Sequence, residues 1–191
     1  MKKKITLFLS AILVVILSLS IFVGCTRIYG YDYKSMEDLK QALESEQVFL
    51  MYPTLDTPTN KDHKQNFVSV IDQESKKTVG YKVYSFNTPF NTAVYGYNYT
   101  KEGVMCDDIN RLTPKGEIKT SYGNAKLYSG EGHDNSLFLI GAIDIDGHRY
   151  EVRVIGNNEQ KDGKFINFIY EDNEMYDKAI SKMIQLFDSL K

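Results

Sequence analysis

Catalysis or tight recognition needs a nucleophile, an acid–base pair, a bound metal or a cluster of recognition groups. Each leaves a trace in residue type and spacing. The three histidines, His63, His133 and His148, stand far apart, and no H-x-x-x-H or C-x-x-C pattern is present. Asp144-Ile145-Asp146-Gly147 echoes the start of a calcium loop but lacks its third acid and its closing glutamate. No metal and no cofactor is expected. Cys106 precedes Asp107 and Asp108, whose charges disfavour a thiolate, so an idle or buried cysteine is expected there. G-x-S-x-G, S-x-x-K and Walker patterns are missing. The glycines Gly130 and Gly132 lack a phosphate-binding frame, and the acidic run Glu171 to Glu174 reads as a helix start. No catalytic residue is therefore assigned. The aromatic residues are more suggestive: 14 Tyr and 10 Phe, with no Trp. Tyr95, Tyr97 and Tyr99 alternate along one segment, so in a strand they share a face at about 6.8 Å intervals. Exposed, they form a possible ligand face for sugar rings or a peptide; the alternative is a sheet face buried beneath the last helix.

The start of the chain gives an address. Lys2, Lys3 and Lys4 precede Ile5 to Val23, a run with no charge and no proline. A basic start and an apolar stretch mark an export signal, although the run is also long enough to span a bilayer. Phe22-Val23-Gly24-Cys25 closes it and resembles the lipobox of bacterial lipoproteins. That resemblance covers residues 1–25 only. It implies that a signal peptide, residues 1–24, is removed and that Cys25 carries the lipid. Phe22 replaces the usual leucine of the motif. The alternative is an uncleaved anchor in which Cys25 is incidental. The implied location is the extracytoplasmic face of the cell membrane, held by two acyl chains in which each buried methylene contributes about 0.8 kcal/mol.

Charge narrows the partners. The chain has 191 residues and a formal net charge of −2. Residues 1–24 hold three lysines and no acid, so the remainder sets 20 basic residues against 25 acidic ones, a charge of −5. Such a domain has no electrostatic reason to bind nucleic acid. Two cysteines, one of them expected to be lipidated, exclude a disulfide scaffold. The expected function is a non-catalytic binding or accessory role at the cell envelope, with a protein or peptide partner and with the membrane reached through the N-terminal lipid. One alternative is an immunity-type or envelope-stress lipoprotein that sequesters a cationic peptide. Another is an enzyme on envelope polymers using Asp107 or Asp108.

The elements that must position these residues are legible from periodicity. Residues 25–33 read as lipidated cysteine and tether, and residues 34–191 as one domain. Ser35 starts a helix from Met36 to about Glu46, with Met36, Leu39, Ala42 and Leu43 on one face. Val48–Tyr52 reads as a short strand, and Pro53–Asn66 as a long loop. Strands are expected at Phe67–Ile71, Val79–Phe86 and Ala93–Thr100, joined as a meander. Lys101–Gly116 reads as irregular with a helical turn, and Ala125–Ser129 as a strand. Leu137–Ile145 and His148–Ile155 flank Asp146-Gly147, a two-residue type I′ hairpin turn. Its register sets Asp144 against Arg149, Ala142 against Glu151 and Ile140 against Arg153, with apolar pairs on the other face. A strand at Phe165–Tyr170 precedes a last helix, capped by Asp172 or Asn173, that runs to about Leu190. The order of elements gives an α+β fold: an antiparallel sheet of seven or eight strands packed by an N-terminal and a C-terminal helix. It is similar in element order to PsbP-like α/β-sandwich domains, and that likeness implies no activity.

Overall fold

The computed structural model describes residues 27–55, 64–86, 89–107, 109–131, 137–156, 159–161, 164–166, 169 and 174–191. Cys25, His63, Asp108, His133, Asp172 and Asn173 lie outside the described residues. The expected α+β class is the observed one: an eight-stranded antiparallel sheet and two helices. Strand β1 is Arg27–Tyr33, followed by helix α1 at Met36–Ser45. Strands β2 (Gln65–Asp72), β3 (Thr78–Ser85) and β4 (Phe90–Tyr97) follow. A 3-10 turn at Ile109–Arg111 leads to β5 (Thr113–Thr120), β6 (Gly123–Glu131), β7 (Leu137–Ile145) and β8 (His148–Gly156). A separate small ribbon pairs β9 (Glu159–Lys161) with β10 (Lys164–Ile166). Helix α2 spans Glu174–Asp188.

Local chemistry accounts for most of these boundaries. The Ser35 hydroxyl accepts the Asp38 N–H at 3.1 Å and caps α1, as its position suggests. Asp146 and Gly147 both have positive φ, 51° and 81°, as a type I′ turn requires. The β7–β8 register matches the expected one, with Ile145 opposite His148, Asp144 opposite Arg149 and Ala142 opposite Glu151.

Three expectations are corrected. Residues 27–33 are not tether: they form β1, paired antiparallel with β2 from Arg27 opposite Asp72 to Tyr33 opposite Phe67. The ladder is interrupted between Tyr29 and Asp32, where Gly30 sits close to the Ser69 side chain. Val48–Tyr52 is irregular; the Tyr52 backbone exchanges hydrogen bonds with Lys191, 2.9 and 3.1 Å. Strand β5 runs through Thr113–Thr120, outside every expected strand and beginning within the segment expected to be irregular. Pro114 and Gly116 hide it, and both are tolerated because β5 is an edge.

The sheet order is β1-β2-β3-β4-β8-β7-β6-β5. Two four-stranded meanders thus meet along β4 and β8. Both helices pack on one face. Leu39 and Leu43 of α1 and Ala179, Met183, Leu186 and Phe187 of α2 join Tyr81, Val83, Val94, Leu139, Tyr150, Val152 and Val154 in the main core. Gly141 on β7 lets α2 approach. A Cβ there would lie 2.6 Å from Met183 Sδ and 2.7 Å from the Phe187 ring. Gly141→Val is therefore expected to destabilise the fold by about 1–3 kcal/mol through overpacking. A lower urea midpoint with an unchanged slope checks this; an unchanged midpoint contradicts it.

Candidate functional site

The topology forces one connection across the face opposite the helices. β4 ends at the middle of the sheet and β5 lies on its far edge, four strand spacings or about 19 Å away. Residues 98–112 make that crossing, and they bury Val104, Met105 and Leu112 against the sheet. We call this segment the strap.

Alternate residues of β8 hold it. The Arg149 guanidinium is nearly buried and donates from Nε and Nη2 to both carboxylate oxygens of Asp144, the Nη2 bond being 3.0 Å. It also donates to the Gly103 carbonyl and, at 2.8 Å, to the Lys101 carbonyl. Glu151 is fully buried and accepts the backbone N–H groups of Met105 and Cys106 at 2.5 and 2.6 Å. Arg149 Nη1 stands 3.5 Å from the same carboxylate. Arg153 pairs with Asp107 at 3.1 Å and lies 4.0 Å over the Phe138 ring. The charged face of the hairpin is therefore not a solvated face: it anchors a backbone segment. Buried backbone polar groups need partners, and the strap has no strand neighbour to supply them.

This arrangement fixes the chemistry of its members. Burial raises the Glu151 carboxyl above its ordinary range, against the opposing pull of the Met105 and Cys106 donors and the Arg149 charge. Burial also pushes the Cys106 thiol well up, and the nearby Glu151 charge adds to it. A thiol so placed is a poor nucleophile. The acids beside it in sequence matter less than burial does.

The tyrosine stripe takes its place beneath the strap. Register sets Tyr95 between Lys82 and Glu151, and Tyr97 between Gly80 and Arg149. Tyr95 and Tyr97 are only 3% and 2% exposed, stacked at 6.2 Å, and packed with Met105; Tyr99 meets Tyr97 edge-on and is half-buried. These residues are not the open ligand face that their spacing suggests. The cover is the strap and not the last helix, which lies on the other side.

Met105 of the strap packs in one cluster with buried Val70 of β2, and beyond it the β1–β3 part of this face is more open. There a groove of about 340 Å³ is lined by Gly30 and Asp32 of β1, Asn66 and Val68 of β2, Lys82 and Tyr84 of β3, and Phe86 just beyond it. Exposure rises from buried Tyr95 on β4, through half-buried Tyr84 and Val68, to exposed Asn66 and Asp32. The Tyr84 and Phe86 rings meet at 4.4 Å and 52° and form one wall. Lys82 Nζ lies 5.2 Å from the Tyr84 ring centre and 5.6 Å from that of Tyr95. Sequence reading missed this wall, yet Lys82, Tyr84 and Phe86 alternate as plainly as the tyrosines of β4 do. Among the described residues, no three His, Cys, Asp or Glu side chains gather as a metal site.

Compared with protein-family models, with curated proteins and with solved structures, the chain matches none.

The strap makes one prediction. In a Cys25→Ser chain Cys106 is the sole thiol. Adding Arg149→Met frees two strap carbonyls and strands Glu151, a loss of about 3–5 kcal/mol for a broken buried pair. Maleimide should then label Cys106 at least about tenfold faster under native conditions, as local opening becomes cheaper. Equal labelling rates would contradict the anchoring role.

Proposed function

We propose that the protein is a lipoprotein on the extracytoplasmic face of the cell membrane, with a binding and non-catalytic role at the envelope. The observation that carries this reading is Phe22-Val23-Gly24-Cys25 at the close of an uncharged run, immediately ahead of folded chain. Only Thr26 separates Cys25 from the start of β1. Two residue steps reach about 7 Å, so a lipid on Cys25 would hold the start of this edge strand at the bilayer surface. A net acidic domain gains nothing from anionic headgroups, so the attachment proposed is the acyl chains on Cys25, with the uncleaved apolar run as its alternative.

The binding role draws on how the polar groups are used. Arg149, Glu151 and Arg153 hold the strap, and Asp107 is engaged with Arg153. Exposed Asp32, Asn66 and Phe86 and half-buried Lys82 and Tyr84 line the groove over β1–β3. A concave surface with a few polar groups is where recognition is expected.

Metabolic labelling with a tagged fatty acid tests the mooring. The wild-type chain should label and lose residues 1–24, and Cys25→Ala should do neither. A variant that labels as strongly as wild type would remove this reading.

A further inference from the structure

The N-terminus fixes one corner of the molecule, and register shows what shares that end of the sheet. Cys25 stands two residues before β1, within about 7 Å of its start. Arg27 is opposite Asp72 of β2, Gly80 of β3 is opposite Tyr97 of β4, and Tyr97 is opposite Arg149 of β8. The same end therefore carries the turns at 73–77 and 146–147 and, through Lys126 opposite Ala142, the turn at 121–122. Helix α2 finishes there too. The Ser121 N–H donates to Asp188 at 2.7 Å, and the Tyr122 hydroxyl donates to the Leu190 carbonyl. We infer that this end, with Phe49 and Tyr122 at its surface, is the face that the domain rests on the lipid bilayer. The inference rests on the membrane attachment proposed above and adds the orientation of the domain.

Apolar surface collects at this end. Gln47, with φ of 61°, closes α1, and the next N–H, of Val48, donates back to the Leu43 carbonyl at 2.9 Å. Met51 is held by the Tyr81 and Tyr150 hydroxyls at 2.7 and 3.0 Å. Tyr52 exchanges backbone hydrogen bonds with Lys191, so the segment crosses this end beside the close of α2. Phe49 is fixed between these anchors, is 65% exposed, and joins none of the three apolar clusters. Leu50, Met51 and Ile145, partly buried at the rim of the main core, and Tyr122, 37% exposed, extend the surface. Aromatic rings of this kind settle at the level of lipid headgroups. Charge at this end is mixed, with Lys76 and Lys77 in one turn and Asp146 in another, so apolar contact selects the surface. Four strand spacings, about 19 Å, separate β1 from β8, so a bilayer that receives Cys25 and lies across the strand ends meets the whole patch. The competing face is the β1 edge, where Tyr31, at 72%, is the one exposed ring among the described side chains.

The chain has no tryptophan, so single substitutions report lipid contact one position at a time. The full chain, purified from membranes, is placed in vesicles of phosphatidylglycerol and phosphatidylethanolamine brominated near the headgroup. Phe49→Trp and Tyr122→Trp should each lose about half or more of their emission to the bromines. Tyr31→Trp on the β1 edge and Phe86→Trp at the far end of β3 should keep theirs to within about a tenth. All four positions are exposed, and circular dichroism checks that the variants fold. Absence of quenching at Phe49 or at Tyr122, or quenching at Tyr31 or Phe86 as strong as theirs, would overturn the inference. Fatty-acid labelling is scored separately. A labelled chain with the wrong ranking loses only its orientation. An unlabelled chain with the right ranking keeps its orientation, held by the uncleaved run, and loses only the lipid.

Discussion

A chain that crosses the face of a sheet carries its amides and carbonyls with it, and once buried they must be paired. That constraint shapes this molecule. The two meanders meet at β4 and β8, so the link from β4 to β5 has to travel across β8, β7 and β6. It brings the backbone of Lys101, Gly103, Met105 and Cys106 onto strands that are already fully paired along their edges. Only side chains can then serve, and they must reach up from the pleat. Arg149 and Glu151 do so: a fixed fork of donors for carbonyls, and a carboxylate for adjacent N–H groups. Each charge is buried: Arg149 is tolerable because Asp144 and Glu151 stand beside it, and Glu151 because Arg149 and two backbone N–H groups do.

The opposite face solves the same problem with neutral groups. The irregular segment after α1 lies over the sheet, and Met51 is held there by two tyrosines. The Tyr81 hydroxyl donates to its carbonyl at 2.7 Å, and the Tyr150 hydroxyl accepts its N–H at 3.0 Å. Tyr52 stacks on Tyr81 at 4.9 Å. This accounts for part of the tyrosine content without any ligand. It also separates structural aromatics from those with ring surface left over. Tyr81, Tyr150, Tyr95 and Tyr97 are packed within the two faces, whereas Phe86 and part of Tyr84 remain at the groove.

What the sequence discloses follows the same division. The β7–β8 hairpin was legible pair by pair, because Asp-Gly fixes the turn and a single slip would invert both faces. The helices were legible from their periodicity, and α2 buries Ala179, Met183, Leu186 and Phe187 against the sheet. The main-sheet strands that went unread, β1 and β5, are its edges, and β9 of the separate ribbon also falls outside the expected strands. Edges carry glycine, proline and charge for protection against further pairing, and those residues look like loop. The candidate site was half legible. Alternation located the aromatic face on β4 but not the one on β3, and which of them is covered depends on a strap whose path is set by strand order. No local pattern in residues 98–112 encodes that path.

The most direct test of this account is amide hydrogen exchange at Met105 and Cys106. Both lie outside any strand or helix, so without the carboxylate they would exchange as ordinary loop amides. Bound to Glu151, they should exchange slowly, near the rate of the central strands, and Glu151→Gln should speed both by an order of magnitude or more while β8 stays protected. Fast exchange at these two amides in the wild-type chain would contradict the claim that buried charge fastens the strap to the sheet.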